Sequence, residues 1–200
     1  TETYSVTFYK ATAADGPITI YGKNGVGVWD HDMRRERPSI TIPHFPPGAM
    51  PAPGTDGHID ILDEDTGIIH SLFATVVTGA GRWEVDSYAW STVNGRGYGD
   101  GGHHYQGVRA TGTLPVSGMI RKWEIDGTPA DGDFGHTLSI SMTFSGLQAT
   151  PPGYVFPATA SDFDFDRNSG PFYEGELVML PAGFDVNTLQ TNDARKLART

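Results

Sequence analysis

The chain has 200 residues and no cysteine. That absence removes disulfides, thiolate metal sites and a cysteine nucleophile together. No apolar run approaches the roughly 20 residues that cross a bilayer, so no membrane span is expected. Positive charge is scarce: 14 Lys and Arg face 24 Asp and Glu, a formal charge of −10. Such a chain repels nucleic acid and anionic membranes at long range, and neither is expected as a partner. Walker loop, Rossmann fingerprint, HExxH and EF-hand patterns are all missing, and no repeat of fixed period is present. Gly97-Tyr98-Gly99-Asp100-Gly101 lacks the strand before it and the helix after it that a phosphate loop requires. Thr1 is not a translation start: truncation or processing removed whatever came first, and a secretion signal is one candidate.

Turn chemistry is what the chain has in abundance, with 26 Gly and 14 Pro alongside 38% hydrophobic residues. The length fits one domain spanning residues 1–200, large enough for its own core. Short alternating segments recur between the turns. Residues 4–10, 18–21 and 39–42 alternate apolar and polar as half-buried strands do. Residues 58–63 and 68–75, joined by Glu64-Asp65-Thr66-Gly67, form the clearest hairpin, with Gly67 where a tight turn needs positive φ. Residues 82–90 alternate in part. Trp83 and Val85 fall on one face and Glu84, Asp86 and Tyr88 on the other, with Trp83 assigned to the core.

Further strands are expected over 106–111, 135–144 and 176–180. The second has the cleanest alternation, with Leu138, Ile140, Met142 and Phe144 turned inward and the other sheet face wet. The third is a buried strand. Met33-Arg34-Arg35-Glu36-Arg37 reads as a solvated turn of helix or, failing that, an anion contact. Residues 44–53 are proline-rich and extended, belonging to an edge or the surface. A short helix is expected over 117–124, capped by Ser117, with Leu114, Met119, Ile120 and Trp123 on one stripe. A second is expected near the end, with Asp193 at its start and Arg195, Lys196 and Arg199 toward its finish. Short strands, many turns and two brief helices predict an all-β antiparallel sandwich or jelly roll.

Several segments together carry a resemblance. Leu114-Pro115, Ser117-Gly118-Met119-Ile120-Arg121, Glu124, Gly135-His136-Thr137-Leu138, Pro157-Ala158 and residues 175–180 follow a pattern found in a group of exported bacterial proteins. In that group "LP…GLVR…E" precedes "G-I-x-HAL", a "PA" dipeptide and a "G-x-R-L-x-L" strand. The hairpin from Asp56-Gly57-His58 to Asp65-Thr66-Gly67 is similar to the group's "D-x-H-x-x-V-I-D-x-D-T-G". The likeness covers about residues 42–200. The chain departs from the group in the acidic stretch 126–133 and the glycine-rich loop 94–102, and it ends where the group continues into one more strand. The group resembles jelly-roll, lectin-like sandwiches, often joined to carbohydrate-binding modules. The resemblance therefore implies this fold, an extracellular or cell-surface setting and a carbohydrate partner.

Candidate chemistry follows from residue type. A glycosidase needs two carboxyl groups, one with a raised pKa; Asp56 or Glu84 with Glu124 is the candidate pair. A polysaccharide lyase needs a base and a group that neutralises the uronate carboxylate. His58, His136 and Tyr105 are candidates for base or acid, and Arg109 or Arg121 for the neutraliser. The plainer reading makes His58 and His136 half-buried structural histidines and pairs Glu124 with Arg121 or Lys122. Trp90, Tyr98 and Tyr105 are the candidate sugar platform, with Trp90, Tyr98, Arg109 and Arg121 as substrate-binding residues. His103 and His104 fall in the glycine-rich region and are expected in solvent.

No cofactor is demanded. Calcium is the candidate metal, either on Asp162, Asp164 and Asp166, which share a face if that stretch is a strand, or on Asp60, Asp63 and Asp65. Charged edge and turn chemistry are the competing explanations. Two functions remain open. One is an extracellular polysaccharide lyase or glycoside hydrolase. The other is a non-catalytic glycan-binding or structural module of a surface protein or a virion appendage. The oligomeric state is left open.

Overall fold

A computed structural model describes residues 6–100, 102–129 and 131–200. Tyr4 and Ser5 of the first expected strand, Gly101 of the glycine-rich loop and Ala130 of the acidic stretch lie outside the described residues. Among the described residues, ten strands form two sheets: β1 (Val6–Ala11), β2 (Ile18–Gly22), β3 (Val28–Asp30), β4 (Arg35–Arg37), β5 (Ser39–Ile42), β6 (His58–Asp63), β7 (Ile68–Phe73), β8 (Val76–Val77), β9 (Trp83–Val85) and β10 (Ser87–Thr92). The larger sheet runs β1-β6-β7-β10-β3-β4 and the smaller β5-β2-β9-β8. The expected sandwich is present. It is mixed rather than antiparallel, because β1 with β6, β10 with β3 and β2 with β9 pair in parallel.

The core lies between the sheets. Ile59, Ile61, Leu72, Val28 and Tyr88 of the larger sheet meet Ile20, Ile40, Ile42, Trp83 and Val85 of the smaller. Phe45, from the proline-rich segment, packs edge-on against Trp83 with ring centroids 4.8 Å apart. Four stretches of chain cross from sheet to sheet side by side. β2 leads into β3 through a short 3-10 turn, Lys23–Gly25, β4 into β5 through Pro38, β9 into β10 through Asp86, and β7 into β8 through Ala74 and Thr75. The result is one bent four-stranded ribbon that forms a corner of the sandwich. Glycine is required in this bend: a Cβ on Gly22 would stand 2.3 Å from the carbonyl carbon of Gly27, and one on Gly27 would stand 2.7 Å from the Arg37 carbonyl oxygen.

The bend corrects two expectations. Asp86 breaks the alternation, so Tyr88 turns into the core instead of joining Glu84 on the outside. Residues 35–37 are a strand paired with β3, not a helical turn, because Arg37 pairs its charge with buried Asp30 at 2.9 Å.

The second half of the chain departs further. Residues 106–111 are turns, and residues 135–144 and 176–180 form no ladder among the described residues. Ile140 is 61% exposed, so 135–144 does not turn its apolar face inward, and Met179 is 77% exposed, so 176–180 is not a buried strand. Residues 162–166 form a turn leading into a 3-10 helix (Phe165–Arg167), not a strand with three aligned carboxylates. The first helix, α1 (Lys122–Gly127), starts five residues later than Ser117, and its Trp123 is exposed. The second, α2 (Asn192–Arg199), is capped by Thr191, whose hydroxyl accepts from Ala194 N–H.

This half supplies a third layer. Val108 N–H donates to Ser71 Oγ at 3.4 Å and Val116 N–H to Asp60 Oδ2 at 2.9 Å, so the chain covers the outer face of the larger sheet near β6 and β7. Where wet outer faces are expected, Asp60 and Ser71 are fully buried.

Candidate functional site

Alternation along β6 sends His58 and Asp60 to the outer face and Ile59, Ile61 and Asp63 inward. Asp60 is paired with Ser71 across the β6–β7 ladder, and Ser71 Oγ donates to its Oδ1 at 2.6 Å. Burial pushes the Asp60 carboxyl up to about 7, against the opposing pull of the Ser71 and Val116 hydrogen bonds and the nearby Arg109 charge. Arg109 donates through Nη2 to the Pro115 carbonyl at 3.0 Å, while its buried Nε has no hydrogen-bond partner.

His58 is half-buried, with its ring centroid 5.1 Å from that of Phe73. Burial lowers its pKa, Asp56 opposes the shift and Arg109 adds to it. The imidazole is therefore neutral at neutral pH, and its buried Nδ1 has no hydrogen-bond partner. Two of the expected residues, His58 and Arg109, thus act on each other electrostatically beside a carboxyl held near its titration point.

Glu124, His136 and Arg121 form a second group. Glu124 occupies the third position of α1 and accepts from the Arg121 N–H at 2.6 Å, the carboxylate half of a capping box. Its Oε1 stands 2.9 Å from His136 Nε2 and 3.3 Å from Arg121 Nη1. The His136 contact has ion-pair distance without hydrogen-bond geometry, while its Nδ1 meets the Thr137 carbonyl at 3.0 Å. Burial raises the Glu124 carboxyl, but the Arg121 N–H and the charges of His136 and Arg121 outweigh it and hold the group below its ordinary range. An ionised helix cap of this kind suits pairing better than proton donation.

The aromatic candidates are covered by neighbouring rings. Trp90 stacks on His103 at 4.1 Å, Tyr105 on His31 at 4.1 Å, and Tyr98 meets Phe156 edge-on at 4.9 Å. His103 and His104 are half-buried by these contacts and by a 3.1 Å contact of His104 Nε2 with the Thr159 carbonyl. Burial raises the Tyr105 hydroxyl and keeps it protonated.

A polar group, of which the sequence marks only Asp63 as a candidate ligand, lies on the inner face of the larger sheet. The ladder registers set Tyr88, His70 and Asp63 on one diagonal across β10, β7 and β6. His70 Nδ1 meets Tyr88 Oη at 2.8 Å, and its buried Nε2 has no partner. Asp63 is fully buried, and His44 Nδ1 lies 3.0 Å from each of its carboxylate oxygens. Burial drives the His70 pKa down to about 4, with Asp63 pulling the other way and His44 adding to the fall. Asp60 and Asp63 face opposite sides of the sheet, so the expected Asp60–Asp63–Asp65 set does not converge.

The signal for these residues was present in the sequence: Asp60 lies between Ile59 and Ile61, and His70 between Ile69 and Ser71. A polar side chain inside an apolar strand is one that the fold buries with a partner.

Two concavities open elsewhere. One of about 450 Å3 lies at the corner, bordered by Gly27, Arg37 and Arg82, and one of about 240 Å3 lies between Met119, Leu138, Ile140 and Leu197. Neither contains a residue expected to be catalytic. No helix among the described residues is long and apolar enough to cross a membrane. Comparison of the chain with protein-family models, with curated proteins and with solved structures returned no match.

Proposed function

We propose that the protein is an extracellular carbohydrate-active enzyme that cleaves an acidic polysaccharide by elimination, with His58 and Arg109 at its centre. The observation that carries this reading is the half-buried, neutral imidazole of His58 within electrostatic reach of the Arg109 guanidinium. Elimination from a uronate requires these two properties. A guanidinium neutralises the sugar carboxylate, which acidifies the adjacent C–H, and an uncharged imidazole accepts that proton. The electron pair forms a carbon–carbon double bond as the glycosidic oxygen leaves, and an acid protonates the leaving oxygen. Tyr105, held protonated, is the candidate acid. Asp60 touches no substrate in this scheme; buried and near-neutral, it positions the segment that carries Arg109 through Val116.

The test is a panel of neutral and uronate-containing polysaccharides, read by ultraviolet absorbance of the unsaturated product and by reducing-end release. Absorbance should rise on a uronate polymer and fall by about 100-fold or more in His58→Ala. Arg109→Lys should also lose activity, because a point charge replaces a planar fork. His136→Ala and Glu124→Gln should retain activity once shown to be folded. Reducing ends without absorbance would instead mark a glycoside hydrolase.

A second reading, a non-catalytic glycan-binding or structural module of a surface protein or virion appendage, draws on Trp123, 67% exposed, and Phe163, 93% exposed. Exposed rings of this size suit a sugar face or a protein partner. Retention on a glycan column without cleavage of any polymer would favour it.

A further inference from the structure

The inner face of the larger sheet holds a cluster that the elimination reading does not use. It lies at the far end of β6 from His58 and on the opposite side of the sheet. His44, Asp63 and Asp65 each offer a donor atom, and the three atoms lie within 4.8 Å of one another. Turn chemistry accounts for part of this. Asp63 Oδ1 accepts the N–H groups of Asp65 and Thr66 at 3.1 and 3.2 Å, an Asx cap of the β6–β7 turn. Asp65 Oδ2 also accepts the Ala13 N–H. Neither accounts for His44, which approaches both oxygens of the Asp63 carboxylate at equal distance while the Asp65 carboxylate converges on the same spot. Even with His44 protonated, the trio carries a net negative charge, and the Asp63 part of it is fully buried.

The second observation is His70. It is 5% exposed, and its Nε2 has no partner. Its Nδ1 faces Tyr88 at 2.8 Å, and on the sheet diagonal Tyr88 and Asp63 flank His70 from opposite sides. The ring stands within electrostatic reach of both Asp63 and His44. A buried imidazole with an unpartnered nitrogen beside a buried carboxylate and a second histidine is an arrangement that a cation completes.

We propose that His44, Asp63 and Asp65 bind a divalent transition-metal cation of the zinc class, with His70 Nε2 completing the shell through a metal-bound water. Imidazole nitrogen together with carboxylates selects this class. Calcium is disfavoured, because it takes six to eight oxygens, roughly, and no nitrogen. The site ties the turn after β6 to the segment that follows β5, at His44, and to β7. It is independent of any polysaccharide activity.

The experiment uses the full, untagged chain stripped with a chelator and titrated with zinc alone, calcium alone and cobalt(II) alone, by calorimetry and by visible absorption for cobalt. One zinc equivalent should bind saturably, with calcium weaker, and cobalt should develop the visible bands of a low-coordinate nitrogen–oxygen site. His44→Gln and Asp65→Asn should each weaken zinc by at least about 100-fold, and His70→Gln by about 10- to 100-fold. Circular dichroism of the stripped variants checks that they fold; Asp63 is left intact because it caps the turn. Absence of saturable zinc binding would overturn the proposal. So would calcium binding more tightly than zinc, or zinc affinity unchanged in His44→Gln and Asp65→Asn, which would place the ion on other surface histidines.

Discussion

Asp60 ties stability to pH at the level of a single side chain. In the unfolded chain its carboxyl ionises near 3.8, whereas burial holds it to about 7 in the fold. Between those values the folded state keeps a proton that the unfolded state has lost. This contribution therefore falls as pH rises through that window, by at most about 4 kcal/mol, and is flat above it. Asp60→Asn removes the effect. Its amide turned to Ser71 leaves the oxygen for the Val116 N–H, so the variant should unfold at higher urea than wild type at pH 8 and at nearly the same urea at pH 5. Urea titrations at the two pH values would measure this, and an equal gain at both would exclude a buried, near-neutral carboxyl. The face on which Asp60 sits was readable from alternation with Ile59 and Ile61. Its burial was not, because the layer that covers it comes from residues 108–116, about fifty positions away. Tyr88 failed differently: one bend residue, Asp86, reverses the parity of every side chain after it.

At the level of elements, the corner of the sandwich makes two glycines unequal. Gly22 has ordinary extended backbone, but a Cβ there meets the Gly27 carbonyl carbon at 2.3 Å. Gly25 has φ +73° with open space around it. Gly22→Ala should cost roughly 1–3 kcal/mol through overpacking, and Gly25→Ala about 1–2 kcal/mol through backbone strain alone. Thermal or urea unfolding of both would check the order, and a benign Gly22→Ala would mean that the two backbones are not in contact.

The hairpin β6–β7 was the most legible element, because period-two patterning and a Thr-Gly turn agree locally. Residues 135–144 have an even cleaner pattern and form no ladder, since alternation specifies faces but not a pairing partner. Hydrogen exchange should show the contrast. Amides of residues 59–62 and 69–72 should exchange orders of magnitude more slowly than those of 140–142.

For the whole molecule, buried neutral histidines govern acid tolerance. His31 and His70 are both lowered to about 4, and burial is the leading cause in each. An unfolded imidazole takes up a proton below about 6.5, while these rings stay neutral until pH 4. Stability is therefore lost as pH falls from about 6.5 toward 4, by about 3 kcal/mol for His70 alone. His58, also lowered, acts in the same direction and outweighs the opposite trend of Asp60 when the three are taken together. The midpoint of thermal unfolding should drop between pH 6.5 and 4.5, and His70→Gln should flatten that drop. A midpoint that rises on acidification would contradict neutral buried imidazoles. The sandwich itself was legible from strand length and turn density. The parallel pairs and the third layer were not, because both depend on contacts between distant parts of the chain.

The corner at Lys23–Gly25, Pro38, Asp86 and Ala74-Thr75 has a mechanical consequence. Four neighbouring crossings make it a crease in one continuous ribbon, so prising the sheets apart there would load main-chain bonds instead of side-chain packing. At the opposite edge β1 and β6 are joined to the smaller sheet only by the longer connections 12–17 and 43–57. A force that parts the two sheets is therefore met by side-chain packing alone at that edge, and the sandwich opens there before it opens at the crease.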